Sequence, residues 1–336
     1  MIIETVDSAR PYGPAIERAA EILRAGGVVA FPTETVYGLG ANALDEAAVE
    51  KIFEVKGRPS YNPLIVHVGS TELARELVTE WPDAAGYLAS RFWPGPLTLV
   101  LPKRPDVPDR VTAGLPTVAV RVPHHPVALA LLRSSGLPVA APSANPFTRI
   151  SPTTAEHVRL GLGERVDMIL DAGPTPVGIE STVLDLTGEV PRLLRPGTIS
   201  REALEAIVGP IEVPGDASTE AGDAPRSSPG MVGQHYAPKG ELRLFEPEAR
   251  ARMVDVARDS VARGRRVGAL LLRPLDVEVH KRIKMPAEPS AYAARLYSAL
   301  HELDAQGCDV ILADAVPHDG EWAGVRDRLT RAARTG

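Results

Sequence analysis

Between Gly209 and Pro238 the chain changes character: Pro, Gly, Ser, Ala and Asp dominate, and large apolar residues are few until Met231. Such a stretch buries too little apolar surface to offset the entropy of ordering it, so it reads as a linker. It divides 336 residues into two segments, and the length alone favours two domains. We therefore expect a first domain over 1–208, a linker over 209–238 and a second domain over 239–336.

The first segment mixes helix and strand patterns in irregular order. Ile16, Ala19, Ala20 and Leu23 share a helical face over 14–25, and Gly26-Gly27 supplies the stop. Val28–Phe31 reads as a strand, followed by a polar, glycine-bearing loop over 33–40. Asp45 is placed to cap a helix that ends at Lys56. Helices are expected at 71–79 and 83–91, and strands at 64–68, 97–101, 118–122, 168–170, 182–186 and 192–194. In Val118-Ala119-Val120-Arg121-Val122 the three valines share one face and Arg121 takes the other. The same alternation sets His67 opposite Val66 and Val68. The expected fold is α/β, a large twisted mixed sheet rather than an alternating barrel. Strands at 242–245, 267–272 and 310–313, with helices at 248–263, 290–306 and 323–334, make a smaller Rossmann-like α/β unit after the linker.

Bulk properties narrow the function. A hydrophobic fraction of 44% supports real cores and excludes disorder. The net charge of -6 argues against a general nucleic-acid binder. Cys308 is the lone cysteine, which leaves no disulfide framework and no cysteine-based zinc site. Residues 1–7 have neither a basic nor an apolar leader region, and no apolar run approaches membrane-helix length. The expected location is the cytoplasm, with no membrane contact.

The phosphate-loop, dinucleotide, zinc-protease and nucleophile-elbow signatures are all absent. What remains is cationic and polar. Lys56-Gly57-Arg58 sits at a helix end and Ser143-Ala144-Asn145 follows the apolar run 138–142; fixed cations with short hydrogen-bonders at strand ends suit a polyphosphate and a small polar substrate. Lys56 and Arg58 equally suit the helix dipole, an effect of about 0.3–1 kcal/mol. Arg121, set among valines, requires an anion, either a protein carboxylate or a substrate carboxylate or phosphate. Ser143 and Ser181 also fit ordinary turns. His124-His125, between Pro123 and Pro126, reads as a solvated turn rather than a metal site.

Taken in order, several segments resemble the signatures of the YrdC/Sua5 family. They are Phe31–Gly40, Lys56–Pro59, Asn62-Pro63-Leu64, Phe92–Thr98, Ala141–Asn145, Gly178–Val183 and Leu194–Gly197. Ser228–Met231 with His235-Tyr236-Ala237-Pro238 resembles the linker of the long, Sua5-type members, and Gly307–Ile311 with Val325–Leu329 resembles their additional C-terminal domain. Two positions depart from the pattern. Val232, Gly233 and Gln234 stand where many members carry basic and aromatic residues, and Ala172 replaces a common glycine.

The resemblance implies a threonylcarbamoyl-adenylate synthase. L-Threonine, bicarbonate (or CO2) and ATP would give threonylcarbamoyl-AMP and pyrophosphate. The product would pass to a tRNA threonylcarbamoyl transferase complex that modifies adenosine 37, and transient tRNA contact is left open. Lys56 and Arg58 would neutralise phosphate charge. Thr35, His67, Arg121, Ala141 and Ser181 would hold threonine. Asn62, Thr117, Ser143, Asn145, Ser151, Arg195 and Tyr236 would join Lys56 and Arg58 on ATP, with Mg2+ brought by ATP and no metal ligand from the protein. Residues 225–238 would close as a lid on Tyr236. Two other readings remain: a non-catalytic RNA-binding module of tRNA or ribosome maturation, and a carbamate-adenylating relative, although the metal-binding cysteines of that last class are missing here.

Overall fold

The computed structural model describes residues 1–213 and 235–333. The first unit is built on a ten-stranded mixed sheet. In chain order its strands are β1 (Ile2–Thr5), β2 (Val29–Pro32), β3 (Tyr37–Asn42), β4 (Ile65–His67), β5 (Leu97–Pro102), β6 (Thr117–Arg121), β7 (Val139–Ala140), β8 (Met168–Asp171), β9 (Thr182–Asp185) and β10 (Arg192–Arg195). Their spatial order is β1-β8-β2-β3-β7-β4-β6-β5-β9-β10. The helices are α1 (Pro14–Arg24), α2 (Glu46–Lys56), α3 (Thr71–Arg75), α4 (Asp83–Phe92), α5 (Asp109–Thr112), α6 (Pro126–Ser135), α7 (Ala155–Leu162) and α8 (Arg201–Val208).

Two cores divide the faces of this sheet unequally. On one face Leu64, Val66, Val118, Val120, Leu97 and Leu99 pack against α2 and α4 through Val49, Ile52, Phe53 and Leu88. On the other face α1 and α6 cover only the β8-β2-β7 side, where Ile16, Leu23 and Leu131 meet Val29, Phe31, Val139 and Met168. The β4-β6-β5-β9-β10 side of that face carries a small cluster of strand residues alone: Ile65, Val100, Ala119, Val183 and Leu194. The sheet therefore presents one partly apolar surface with no helix packed on its apolar cluster, and the site forms there.

Local chemistry explains how the site-bearing elements are fixed. Asp45 accepts hydrogen bonds from the backbone N–H groups of Ala47 and Ala48 at 3.0 and 3.2 Å, which starts α2 and sets Lys56 at its last turn. Tyr37–Gly40, expected as loop, lies in strand β3, which pairs with β2 and β7. The helix expected over 71–79 is the shorter α3. The pair His124-His125, expected as a solvated turn, opens α6: His125 is buried and its Nδ1 accepts from the Val127 N–H at 3.3 Å.

The second unit has a four-stranded parallel sheet ordered β11-β14-β12-β13: β11 (Glu241–Phe245), β12 (Val267–Leu271), β13 (Lys281–Lys284) and β14 (Val310–Asp314). Helices α9 (Arg250–Ala262), α10 (Pro289–Ala305) and α11 (Ala323–Ala332) cover it. Its core does not stop at the unit's edge. Val36, Ile150 and Ile179 of the first unit, together with Tyr236, belong to the same buried cluster as Tyr292, Leu296, Tyr297 and Leu329. Among the described residues no helix is long and apolar enough to cross a membrane.

The junction also stacks His157 of α7 on His301 of α10, with ring centroids 3.8 Å apart. Burial holds these imidazoles neutral, lowering His157 to about 4 and His301 to about 3, and it does the same to His67 and His235, both at about 3. Each folded-state value lies below the ordinary 6.5, so below that pH the unfolded chain binds protons that the folded chain refuses. Stability is therefore expected to fall as pH drops from 7 to 5, by up to roughly 1–2 kcal/mol per histidine. Denaturant melts at the two pH values test this; equal stability would contradict it.

Candidate active site

Strands β4 and β6 run parallel, with Ile65 opposite Ala119 and His67 opposite Arg121. Because side chains alternate along a strand, Thr117, Ala119 and Arg121 share the face of Ile65 and His67, while Leu64, Val66, Val68 and the three valines enter the core. Thr117 and Arg121 thus sit at opposite ends of one stripe, about 13 Å apart at the usual rise per residue. Above it lies a cleft with about 550 Å³ of empty space. Thr35, Gly38, Arg58, His67, Arg121, Ala141, Ser143, Glu180, Ser181, Arg195, His235 and Tyr236 are among the residues that line it.

At the Arg121 end, the guanidinium is held from three sides. Nε donates to the Gly95 carbonyl at 3.1 Å, both Nη1 and Nη2 donate to Thr35 Oγ1 at 3.1 Å, and Nη2 lies 2.7 Å from Glu34 Oε1. Thr35 Oγ1 is in turn 2.8 Å from Thr33 Oγ1. The anion that Arg121 requires is thus a protein carboxylate, and the arginine still reaches the cleft wall. His67 beside it is neutral at physiological pH, for burial and then the Arg121 charge press its pKa down to about 3. Its Nδ1 is buried without a protein hydrogen-bond partner.

The next wall is the Glu180-Ser181 segment. Ser181 Oγ is 2.8 Å from Thr98 Oγ1 and accepts from Arg195 Nη2 at 3.0 Å, while Arg195 Nε donates to the Ser181 carbonyl at 3.0 Å. Arg195 follows a register shift between β9 and β10, the kind of irregularity that re-aims a side chain. Glu180 accepts from Ser151 Oγ at 2.5 Å, from Tyr297 OH at 3.0 Å and from Arg328 Nε at 2.7 Å. Burial alone would raise its pKa. The charges of Arg328 and Arg195, with these hydrogen bonds, outweigh it and hold the carboxyl at about 2.

The two cations of the Lys56-Gly57-Arg58 segment do different things. Lys56 Nζ donates to the carbonyls of Ser143 and Asn145, and the Lys56 carbonyl accepts from the Phe147 N–H. Lys56 is buried and outside the cleft lining; burial and then the nearby Arg58 charge push its ammonium well below its ordinary value. It fastens the turn that carries Ser143. Arg58 lines the cleft, donates to the Pro63 carbonyl at 3.1 Å and stays protonated at neutral pH, burial lowering it only to about 10.

Asn62 is fully buried and neither its Oδ1 nor its Nδ2 has a protein partner. Asn145 is in a similar position: Nδ2 donates to the carbonyls of Pro146 and Arg149, but Oδ1 is unpartnered. Buried polar atoms left unpaired are uncommon and call for an explanation. Tyr236 is buried with a positive φ of 63°, pinned by the His235 N–H on the Arg331 carbonyl and the Ala237 N–H on the Thr148 carbonyl. The remainder of the expected lid, 225–234, lies outside the described residues, as do Val232, Gly233 and Gln234.

Of the fourteen residues expected at the site, Thr35, Arg58, His67, Arg121, Ala141, Ser143, Ser181, Arg195 and Tyr236 line one cleft. Lys56, Asn62, Thr117, Asn145 and Ser151 stand outside that lining, Ser151 with its hydroxyl committed to Glu180. Glu34, Glu180, His235 and Arg328 are additional participants that the sequence reading did not single out. Arg328 had a signal: it shares a helix face with Val325, Leu329 and Ala332, all buried, and a charge on an apolar stripe needs a buried partner.

Residues 21–197 match the Sua5/YciO/YrdC family model, described as telomere recombination, and residues 199–334 match the C-terminal domain of threonylcarbamoyl-AMP synthase. A Bacillus subtilis protein named threonylcarbamoyl-AMP synthase is 46% identical over 98% of this chain and 96% of its own. The chain belongs to the Sua5/YciO/YrdC family. A crystal structure of Pyrococcus abyssi Sua5 complexed with L-threonine superposes with a TM-score of 0.92 at 42% identity, covering 99% of this chain and 98% of that one. A Marinobacter nauticus threonylcarbamoyl-AMP synthase is 39% identical but covers only 49% of this chain and 87% of its own. This chain is therefore a long family member, with a second unit that such short relatives lack.

Glu34 and Arg121 form a buried pair, their side chains 5% and 4% exposed. Removing one partner strands the other charge, at a cost of about 3–5 kcal/mol. Glu34→Gln and Arg121→Met should each destabilise the protein, and the double variant should cost clearly less than the sum of the two. A double-mutant cycle from denaturant melts measures this; additive effects would contradict the pairing.

Proposed function

We propose that this chain is a threonylcarbamoyl-AMP synthase, condensing L-threonine, bicarbonate (or CO2) and ATP into threonylcarbamoyl-AMP and pyrophosphate, with one water released when bicarbonate supplies the carbon. The observation that carries the reading is the buried arginine–hydroxyl–imidazole group Arg121, Thr35 and His67 at one end of a cleft. It occurs in a chain that is similar throughout to a protein crystallised with L-threonine. A fixed guanidinium fits a carboxylate. A neutral imidazole with an unpartnered Nδ1 can accept a hydrogen bond from the amino acid's amine or hydroxyl without opposing its charge.

In this reading the N-carboxylated threonine presents its new carboxylate oxygen to the α-phosphorus of ATP. An O–P bond forms, the bond to the β-phosphate breaks, and pyrophosphate leaves with its negative charge. No covalent protein nucleophile is needed, so positioning and charge neutralisation supply the rate. Arg58 and Arg195, both lining the cleft, are the cations that meet the phosphates. Lys56 acts by anchoring the Ser143–Asn145 turn. The unpartnered amide of Asn62, the unpartnered Oδ1 of Asn145 and the hydroxyl of Thr117 suit the nucleoside, at the end of the stripe away from Arg121. Magnesium would enter with ATP, and at the phosphates it would withdraw charge from them. Tyr236 and His235 form the part of the wall that shields the reaction from water. The product, a reactive mixed anhydride, would be consumed by a tRNA threonylcarbamoyl transferase complex.

Purified protein should release pyrophosphate and accumulate threonylcarbamoyl-AMP only when L-threonine, bicarbonate and magnesium-ATP are all present. Mass spectrometry of the nucleotide products checks this. Equal pyrophosphate release without threonine would contradict the reading.

A further inference from the structure

Arg328 lies on α11 of the second unit, is fully buried and does not line the cleft. Yet its contacts reach three separate segments of the cleft wall. Nε donates to Glu180 Oε2 at 2.7 Å and Nη2 to the Glu180 carbonyl at 3.3 Å, fixing the residue next to Ser181. Nη1 donates to the Pro196 carbonyl at 2.9 Å, fixing the residue next to Arg195. The guanidinium carbon also stands 5.2 Å from the centre of the Tyr236 ring, within range of a cation–π contact. Asp327 Oδ2, 2.6 Å from Nη1, orients the group from behind.

The backbone geometry repeats the message. A Cβ on Gly324 would come within 2.4 Å of the Gly197 carbonyl oxygen, so only glycine lets α11 approach this closely. Side chain and helix together press on the turn that follows Arg195.

We propose that Arg328 is a positioning residue for the reaction. It sets Ser181, Arg195 and Tyr236 relative to one another, and so makes the second unit a working part of the active site. The proposal rests on the reading of the cleft given above. A planar fork with donors on three nitrogens can hold two loops and an aromatic face at once, which an ammonium cannot. Small displacements of positioned groups weaken catalysis steeply. The short relatives without a second unit must hold the same wall by other means, so the role belongs to the long chains.

The test uses full-length Arg328→Ala, Arg328→Lys and Glu180→Gln, assayed well below their melting temperatures. Arg328→Ala should lower kcat roughly 10- to 100-fold, the scale of losing charge-assisted hydrogen bonds at the reacting geometry. Millimolar guanidinium ion should restore part of that loss, and Arg328→Lys should not recover it. Glu180→Gln should also lose kcat, with no response to guanidinium. Calorimetry with L-threonine gives a readout independent of turnover, with about tenfold weaker binding expected in Arg328→Ala. Inactivity of the wild-type protein on these substrates would sink the functional reading alone, and threonine binding would still decide the positioning role. A folded Arg328→Ala protein with a lowered melting temperature but wild-type kcat and threonine affinity would reduce Arg328 to interface glue and overturn the proposal. Should Arg328→Ala fail to fold, wild-type behaviour of Glu180→Gln in both measurements would overturn it equally.

Discussion

The site depends on one registration, that of β4 against β6 with His67 facing Arg121. A slip of one residue would turn both polar groups into the core and bring valines into the cleft. The core valines forbid that slip, because Val66, Val118 and Val120 pack in the main hydrophobic cluster. Hydrophobic packing on one face therefore fixes polar chemistry on the other. Once the register is set, Thr35 and Glu34 have a guanidinium to bind, and the backbone of residues 34–35 ties to 177–178 through the Val177 and Gly178 N–H groups. That tie brings Glu180 and Ser181 alongside.

The second unit completes what the sheet begins. α1 and α6 cover only part of the site-bearing face, and no helix contributes to the apolar cluster of the β4-β6-β5-β9-β10 side. α10 and α11 approach its border instead, through Tyr297, Arg328 and the core shared with Ile179 and Tyr236. The Glu180 carboxylate is the joint: its partners come from the first unit (Ser151) and from both of these helices. A buried charge is retained at such a place only when well partnered, and these three groups supply that.

Much of this was legible in the chain, because strand alternation and helix caps are local. The valine face of β6, the separation of His67 from the core and the Asp45 cap follow from neighbouring residues. The mixed sheet follows from patterns a few residues long. What escaped depends on distant pairing. The sequence left open whether Arg121 meets a protein or a substrate anion, since Glu34 lies 87 positions away and nothing local announces it. β3 read as a loop because glycine weakens strands; yet a Cβ on Gly40 would meet the Phe31 ring at 2.7 Å, so the strand needs glycine there. α6 was hidden behind two prolines and two histidines, of which Pro126 opens the helix and His125 caps it. Glu180 sits in a segment without periodicity, so only the fold reveals it.

The central claim is a direction: the amino acid binds at the Arg121 end of the stripe and the nucleoside at the Asn62–Thr117 end, with Arg58 and Arg195 on the phosphates between. The most direct measurement is a crystal structure of the protein with L-threonine and a non-hydrolysable ATP analogue. The account predicts the threonine carboxylate against Arg121 and Thr35, the triphosphate between the two arginines, and the adenosine in hydrogen-bond contact with the now unpartnered amide of Asn62. Adenosine at the Arg121 end, or a triphosphate bound away from Arg58 and Arg195, would contradict it.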